Sequence, residues 1–574
     1  MIIAKALAFQ PIRIVAVLFI SFFPNILSGQ EQADPYHYKS VKSIQVKKAA
    51  VVSAHPLASN VGLQILKKGG NAVDAAIAVQ LALAVVYPSA GNIGGGGFMV
   101  ASLKNGQTLA LDYRETAPTN ASRDMYLDKS GNPQITLSLE GQLASGVPGS
   151  VAGLFESHKY AKLDFKTLIQ PSIDLAQKGF AISEEQANDF NKLKKPLARI
   201  NKVPISFVKE SSWKAGDTLI QKDLASTLIA IRDRGMAGFY EGDVARKIVE
   251  EMKKGNGIIS LEDLKNYKVK SRVAMSFNYK DYTIIAMPLP SSGGILLQQM
   301  LGMTAGYPIK EYGFHTLKSV HLMTEIERRA YADRAKFLGD ADFVKVPVKK
   351  LTDKNYISEK MKDFRMDSAG NSSKTVAGPI LESEETTHLS IIDEEGNAVA
   401  VTTTLNGSYG SRVVVTGAGF LLNNEMDDFS VKPGAPNLYG LVGAEANAIA
   451  PNKRMLSSMC PTIVLKGKKP HMVVGTPGGS TIPTSVYQTI VNVFEFGLSL
   501  SDAINKPKFH HQWLPDEIYV EEAFPGELRN QLQKIGHKVS ERTQIGRTDA
   551  ILIHGDGTME AVGDSRGTDS AAGY

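Results

Sequence analysis

The spacing of hydrophobic and polar positions changes period several times along the chain. Residues 57–68 repeat apolar side chains at helical spacing and stop at Gly69-Gly70, and Asn71 then caps a second helix through Val85. That second helix is apolar on nearly every side, so it must be buried. Gly94 to Gly97 lead into a strand over residues 98–103, Asn105-Gly106 makes a tight turn, and residues 107–114 return, which leaves Arg114 at a strand end. Residues 155–270 alternate amphipathic helices with short loops. Pro290-Ser291-Ser292-Gly293-Gly294 opens a further helix whose hydroxyls read as caps, and residues 315–338 form a long charged helix.

Residues 386–392 and 398–404 are two β-rich runs around the polar turn Asp393-Glu394-Glu395-Gly396-Asn397 and predict a hairpin. If Ile392 pairs with Ala398, antiparallel counting sets Thr386 opposite Thr404; a bulge at Gly396 shifts this by one residue. Either way two hydroxyls meet at one end of the hairpin. Residues 350–385 just before it are rich in charge and small polar residues, with breakers at Asn371-Ser372-Ser373 and Gly378-Pro379, and read as the exposed stretch that a cleavage between Glu385 and Thr386 requires. A threonine freed as a new N-terminus carries a nucleophilic hydroxyl and its own base.

Composition narrows the classes. The 574 residues are 43% hydrophobic, enough for a large core, and the formal charge of +6 is spread over 64 basic and 58 acidic residues. No Lys/Arg block interleaved with aromatics is present, so no nucleic-acid partner is expected. Lys5 and Arg13 precede a short apolar run at 14–23 that breaks at Pro24 and reaches Ser28-Gly29. This reads as a signal peptide over 1–29, with no membrane association beyond it; a secreted or signal-anchored form is the alternative to a periplasmic one. Cys460 is the only cysteine, which rules out an internal disulfide, suits a bacterial periplasm, and reads as a small buried residue. The glycine run at 94–97 leads into a strand with no Lys-Ser/Thr after it, so it is not a phosphate loop. His510-His511 lack the one-turn spacing of a helical metal pair, and neither a metal nor a cofactor is expected.

Downstream of Thr404, polar residues recur in apolar settings: Asn406; Glu425 and Asp428 within 421–429; Ser457-Ser458; and Gly478-Gly479 within 475–480. Singly, each reads as a turn, a solvated loop or a cap. Together with Arg114 they supply what a substrate bearing both an ammonium and a carboxylate needs. Acidic side chains and an amide oxygen suit the first, and a guanidinium fork and hydroxyl donors suit the second. Backbone amides at a Gly-Gly turn can stabilise an oxyanion.

The strings Thr386-Thr387-His388, Leu421 through Phe429, Pro436-Asn437-Leu438-Tyr439-Gly440-Leu441-Val442-Gly443, Ser457-Ser458-Met459, Thr476-Pro477-Gly478-Gly479-Ser480 and Phe509-His510-His511-Gln512-Trp513-Leu514-Pro515 resemble γ-glutamyltranspeptidase over about 49–574. The resemblance implies an α+β, four-layer αββα N-terminal-nucleophile hydrolase fold. It implies a precursor that cuts itself into a large subunit, 30–385, and a small catalytic subunit, 386–574, held together as a heterodimer. It makes Thr386 the nucleophile, its α-amine the base, and Thr404 the residue that contacts the nucleophile and helps processing. Arg114, Ser457 and Ser458 would hold the substrate α-carboxylate, and Asn406, Glu425 and Asp428 its α-amine. Gly478 and Gly479 would give the oxyanion hole, and Tyr439 would belong to a lid loop at 433–444. Two positions depart from the family's habit: Glu425 stands where Gln is frequent, and Cys460 where Ser is frequent.

The activity implied is exported γ-glutamyl transfer and hydrolysis, with glutathione and other γ-glutamyl compounds as donors and water, amino acids or peptides as acceptors. A related acylase taking a glutaryl group from a β-lactam is the nearest alternative. Asn406, Glu425 and Asp428 argue against it, because glutaryl has no α-amine. A non-catalytic γ-glutamyl-peptide binding protein is the alternative from another class; it would not cut itself.

Overall fold

The computed structural model describes residues 33–372 and 386–574. The expected signal peptide at 1–29, Glu385, and residues 373–385 of the stretch read as exposed lie outside them. Residues 350–372 are described and are not wholly irregular, since they carry the short helices Val348–Leu351 and Lys354–Glu359.

Two antiparallel seven-stranded sheets make up the centre. The first runs in the order Ser570–Gly573, Ala50–Ser53, Thr386–Ile392, Ala398–Thr404, Gly96–Ser102, Thr108–Asp112, Lys270–Arg272. The second runs Ser43–Val46, Met559–Val562, Asp549–Ile553, Lys469–Gly475, Thr462–Lys466, Tyr282–Ala286, Met275–Tyr279. The predicted hairpin thus lies in the middle of the first sheet, paired on both sides by strands from the N-terminal part of the chain.

Side chains alternate across a strand, and the two hydrophobic clusters divide by that parity. Leu389, Ile391, Val399 and Val401 pack with Met99, Leu111 and the helices Pro56–Lys67, Ala72–Val86 and Phe165–Lys178. Ile392, Ala398 and Ala400 face the other way, toward Ile463, Val473 and Ile551 of the second sheet. Behind that sheet lie the helices Gly293–Thr304, Leu317–Phe337 and Ile482–Phe494. The layers are therefore helix, sheet, sheet, helix.

Ala72–Val86 is the helix read as apolar all round, and every one of its residues is buried. Asn71 caps it reciprocally with Asp74. The hydroxyls of Ser291 and Ser292 do more than cap: Ser291 Oγ accepts from Gly293 N, but it also donates to Met459 O, and Ser292 Oγ donates to Ser457 O. Cys460 is fully buried and the burial pushes its thiol up to about 12, as expected of a packing residue.

His388 is a polar residue on the face that meets the second sheet. Its ring bonds Thr402 Oγ1 at 2.9 Å and Ser390 Oγ at 3.1 Å, and Gly475 leaves the room it occupies, since a Cβ there would stand 2.2 Å from the ring. Burial lowers the imidazole to about 3 from 6.5. The unfolded chain therefore binds a proton that the fold does not, between those two values, and stability is lost as pH falls through that window. We expect the melting temperature to fall on acidification from neutrality and His388→Gln to flatten that fall; an unchanged slope in melting curves of the variant would assign it to other buried histidines.

Candidate active site

Strand register fixes the first two residues. Ile392 pairs with Ala398, so no bulge intervenes, and Thr386 stands opposite Thr404. Both have the parity of Ile392 and Ala398, so their side chains face the second sheet at the open end of the hairpin. Thr386 Oγ1 donates to Thr404 Oγ1 at 3.3 Å, and Thr404 Oγ1 also accepts from the backbone N of Asn406 at 2.8 Å. Asn406 turns the chain with φ of 75°, a left-handed conformation that asparagine tolerates better than most residues.

These hydroxyls open onto a cavity of about 20 Å³, on the order of a single water. Its walls include Arg114, Asn406, Glu425, Asp428, Tyr439, Ser457, Ser458 and Gly479 as well as Thr386 and Thr404. Of the described site residues singled out in the sequence, Gly478 alone is not in the wall; it precedes Gly479 in the chain.

Charge is concentrated on one side. Arg114 lies two residues beyond the strand Thr108–Asp112 and is 1% exposed. Its Nη1 is 2.7 Å from Glu425 Oε2 and 3.8 Å from Glu115 Oε2, and its Nη2 donates to Asp428 Oδ2 at 2.5 Å. The sequence separates Arg114 from Glu425 and Asp428 by expected function; in this structure they pair directly. Burial pushes Glu425 and Glu115 up against the pull of Arg114, and repulsion adds to it, from Glu115 and Asp428 at Glu425 and from Asp428 and Asp112 at Glu115. One guanidinium faces two buried carboxyls, Glu115 and Glu425, and the half-buried Asp428, so the Glu115/Glu425 pair holds its protons more tightly than free carboxylates do. Glu425 sits at ion-pair distance from Arg114, yet both its oxygens lack an aligned hydrogen-bond donor among the described residues.

The serines are held from behind. Ser457 N donates to Pro290 O at 2.9 Å, and Ser457 Oγ accepts from Met459 N at 3.1 Å. Ser458 Oγ accepts from Arg334 Nη2 at 3.1 Å. An accepting hydroxyl keeps its own proton for another partner, so both serines remain donors.

Tyr439 closes the remaining side. Its hydroxyl donates to Asn406 O at 2.6 Å, and its ring lies against Gly479, where a Cβ would come within 2.3 Å of it. Gly479 has φ of 54° and Gly478 of 129°, both in the region that favours glycine. The loop carrying Tyr439 is tied to the acidic segment: Leu438 N donates to Asp427 Oδ2 at 2.8 Å and Asn437 Nδ2 to Asp428 Oδ1 at 3.2 Å. Burial raises Asp427 to about 6.

Sequence patterns alone give no role to Glu115, Asp427, Asn437 or Arg334. Adjacency to Arg114 is the available signal for Glu115, whereas nothing local marks Arg334 among the many charges of its helix. His510 and His511 are spent on Thr484, Gln512 and Asp516. The residues whose ligand atoms do converge are His321, Glu325 and His537. There Glu325 is already paired with Arg328 and Arg329, and the two imidazoles bond each other at 2.7 Å.

The sequence profile of the Gamma-glutamyltranspeptidase family matches residues 58–574. The glutathione hydrolase proenzyme of Escherichia coli (strain K12) is 45% identical over 557 residues, 96% of this chain and 95% of that one. The crystal structure of Helicobacter pylori γ-glutamyltranspeptidase aligns at 43% identity with a TM-score of 0.55, over 58% of this chain and 94% of that chain. A cephalosporin acylase from Bacillus halodurans aligns with a TM-score of 0.81 at 24% identity, over 95% of this chain and 99% of that one, a likeness of fold.

The contact between Gly479 and Tyr439 is directly testable. Gly479→Ala should lower the melting temperature through both the clash and the positive φ. Adding Tyr439→Ala should recover the clash component, a coupling of about 0.5–3 kcal/mol in a double-mutant cycle; strictly additive losses would leave backbone strain as the whole cost.

Proposed function

The chain belongs to the γ-glutamyltranspeptidase family, and on that basis we propose how its residues carry out the glutathione hydrolysis and γ-glutamyl transfer that membership entails. The fold is the αββα N-terminal-nucleophile hydrolase type, and the protein is an enzyme. The observation that carries the assignment of roles is that Thr386 shares one cavity with Arg114, Glu425 and Asp428.

In this reading the chain is cut between Glu385 and Thr386. Residues 30–385 and 386–574 then remain one body, because the strand Thr386–Ile392 stays paired with Ala50–Ser53, and Ala398–Thr404 with Gly96–Ser102. The freed α-amine takes the proton of Thr386 Oγ as that oxygen attacks the γ-carbonyl carbon of the donor. Its ordinary pKa of about 7.7–8.0 suits a general base near neutral pH. Amides at Gly478 and Gly479 receive the oxyanion. The tetrahedral intermediate collapses by breaking the C–N bond, the leaving amine takes the proton, and a γ-glutamyl ester of Thr386 remains. Water, or the amine of an amino acid or peptide, then attacks that ester and returns Thr386.

The donor's α-ammonium and α-carboxylate would enter by exchange of partners. Arg114 turns from Glu425 and Asp428 to the carboxylate, joined by the Ser457 and Ser458 hydroxyls, and the two acids with Asn406 take the ammonium. The exchange conserves charge, so it avoids stranding a buried ion. It also favours γ-glutamyl over glutaryl donors, since glutaryl supplies no cation to the acids. Residues 1–29 direct export to the periplasm in this reading; among the described residues no helix is long and apolar enough to cross a membrane.

N-terminal sequencing of the smaller fragment should begin Thr-Thr-His, and Thr386→Ala should give one uncut, inactive chain. Any other N-terminus would remove Thr386 from its role. The raised carboxyl of Glu425 makes a second expectation: protonated at lower pH it attracts the ammonium weakly, and it ionises as pH rises above the usual carboxylate range, so KM for γ-glutamyl-p-nitroanilide should fall with rising pH. Glu425→Gln should flatten that dependence, and an identical profile in the variant would place the titration elsewhere.

A further inference from the structure

Arg334 sits in the last turns of the helix Leu317–Phe337, is 6% exposed, and has no carboxylate at ion-pair distance among the described residues. It donates instead to two hydroxyls: Nε to Ser292 Oγ at 3.2 Å and Nη2 to Ser458 Oγ at 3.1 Å. This differs from the other buried arginines of the region. Arg114 faces Glu425 and Asp428, Arg454 faces Asp112, and Arg328 faces Glu325 and Asp516. A guanidinium without a paired carboxylate in the interior is costly, and burial holds its pKa below the usual arginine value, with Arg114 adding to this against the longer-range pull of Tyr331 and Asp428. Such a charge is expected to persist where an anion arrives from outside to balance it.

The position of Ser458 says where. Ser458 lines the cavity with Arg114 and Thr386, and Arg334, which is not among the lining residues, donates to it. Ser292, the second acceptor of Arg334, donates its own proton to Ser457 O, so the same guanidinium braces both serines. The hydroxyl of Ser458, having accepted from a cation, is polarised and keeps its proton for a partner in the cavity.

We infer that Arg334 is the second cation of the carboxylate subsite, a positioning residue that acts through Ser458 and gives the site its selectivity for donors bearing an α-carboxylate. The inference rests on the assignment of Arg114, Ser457 and Ser458 to that carboxylate. With the donor bound, the carboxylate lies between Arg114 and the Ser458–Arg334 pair and meets positive charge on both sides. Electrostatic attraction through one intervening hydroxyl persists in a site closed to water. The residue touches no reacting atom, so it should set KM more than kcat.

The experiment uses the full-length, self-cleaved enzyme and two donors: γ-glutamyl-p-nitroanilide and 4-aminobutyryl-p-nitroanilide, which keeps the amine and lacks the carboxylate. Arg334→Gln keeps a donor to Ser458 but removes the charge. It should raise KM for the γ-glutamyl donor roughly ten- to a hundredfold, the loss of one charge-assisted bond, while leaving kcat and the aminobutyryl donor far less affected. Arg334→Lys should recover part of the loss. It also serves as the readout if Arg334→Gln does not yield cleaved, folded protein, since it keeps the charge and forfeits the planar fork. Equal losses on both donors, or an unchanged KM for the γ-glutamyl donor, would overturn the inference. Wild type separates this from the underlying assignment: if it shows no preference for the carboxylate-bearing donor, the carboxylate subsite itself is misplaced. If it does, and Arg334 variants do not narrow that preference, the inference about Arg334 alone fails.

Discussion

The pairing of Thr386–Ile392 with Ala398–Thr404 governs both the core and the cavity of this molecule. Because the hairpin lies inside the first sheet, its register is held by Ala50–Ser53 on one side and Gly96–Ser102 on the other. A slip of one residue would turn every side chain to the opposite face. Leu389 and Val401 would leave the helical layer, His388 would lose Thr402 and the space beside Gly475, and Thr386 would point away from Arg114. The hydrophobic parity that builds the core is thus the same parity that delivers the two threonine hydroxyls to the cavity. A residue that begins a central strand is also well placed for a backbone cut, since cutting before it leaves every cross-strand hydrogen bond from Thr386 onward in place.

Electrostatics organises the other wall. Two buried carboxyls, Glu115 and Glu425, and the half-buried Asp428 crowd one guanidinium, and the crowding together with burial raises Glu115 and Glu425 above the usual carboxylate range. A few residues away Arg334 presents the reverse situation, a cation without a carboxylate. The cavity therefore carries an excess of negative charge toward Glu425 and of positive charge toward Ser458, an asymmetry that matches a zwitterion and no singly charged ligand. Hydroxyls mediate at the positive end and backbone turns at glycine complete the side facing Thr386, so each part of the wall is built from the group whose chemistry it offers.

The sequence shows some of this and hides the rest for identifiable reasons. The hairpin register, the all-buried helix Ala72–Val86 and the strand-end position of Arg114 follow from periodicity and turn chemistry, which are local. The cavity wall is readable only through motif strings, because the residues that meet there are distant in the chain: Arg114 reaches Asp428, and Ser291 reaches Met459. The direct pairing of Arg114 with Glu425 and Asp428 is not legible, since a motif tells which groups meet and not which partners they hold in the absence of ligand. Arg334 is hidden more deeply. Its helix reads as charged and therefore as solvated, yet Glu327, Tyr331 and Arg334 fall at i, i+4 and i+7 on one buried face, where they reach Gln488, Ser480 and Ser458.

Asp428 joins the charge balance to the position of the loop that carries Tyr439. One of its oxygens accepts from Arg114 and the other from Asn437, whose own Oδ1 accepts from the backbone N of Tyr439 and of Leu441. Any group that takes Arg114 from Asp428 removes the cation paired with the carboxylate that anchors the turn carrying Tyr439. Asp427 supplies a second anchor through Leu438 N, and it is itself fixed by Ser138, a residue of the N-terminal part of the chain. The loop carrying Tyr439 is therefore not independent of the cavity wall: its position depends on two adjacent carboxylates, one of which also pairs with the arginine in the cavity, so the charged wall and this loop share a single set of hydrogen bonds. Tyr439, pinned between Asn406 O and the Gly479 backbone, lines the same cavity as Thr386, so a change at Asp428 has a short path, through Asn437 to Tyr439, by which to be felt there.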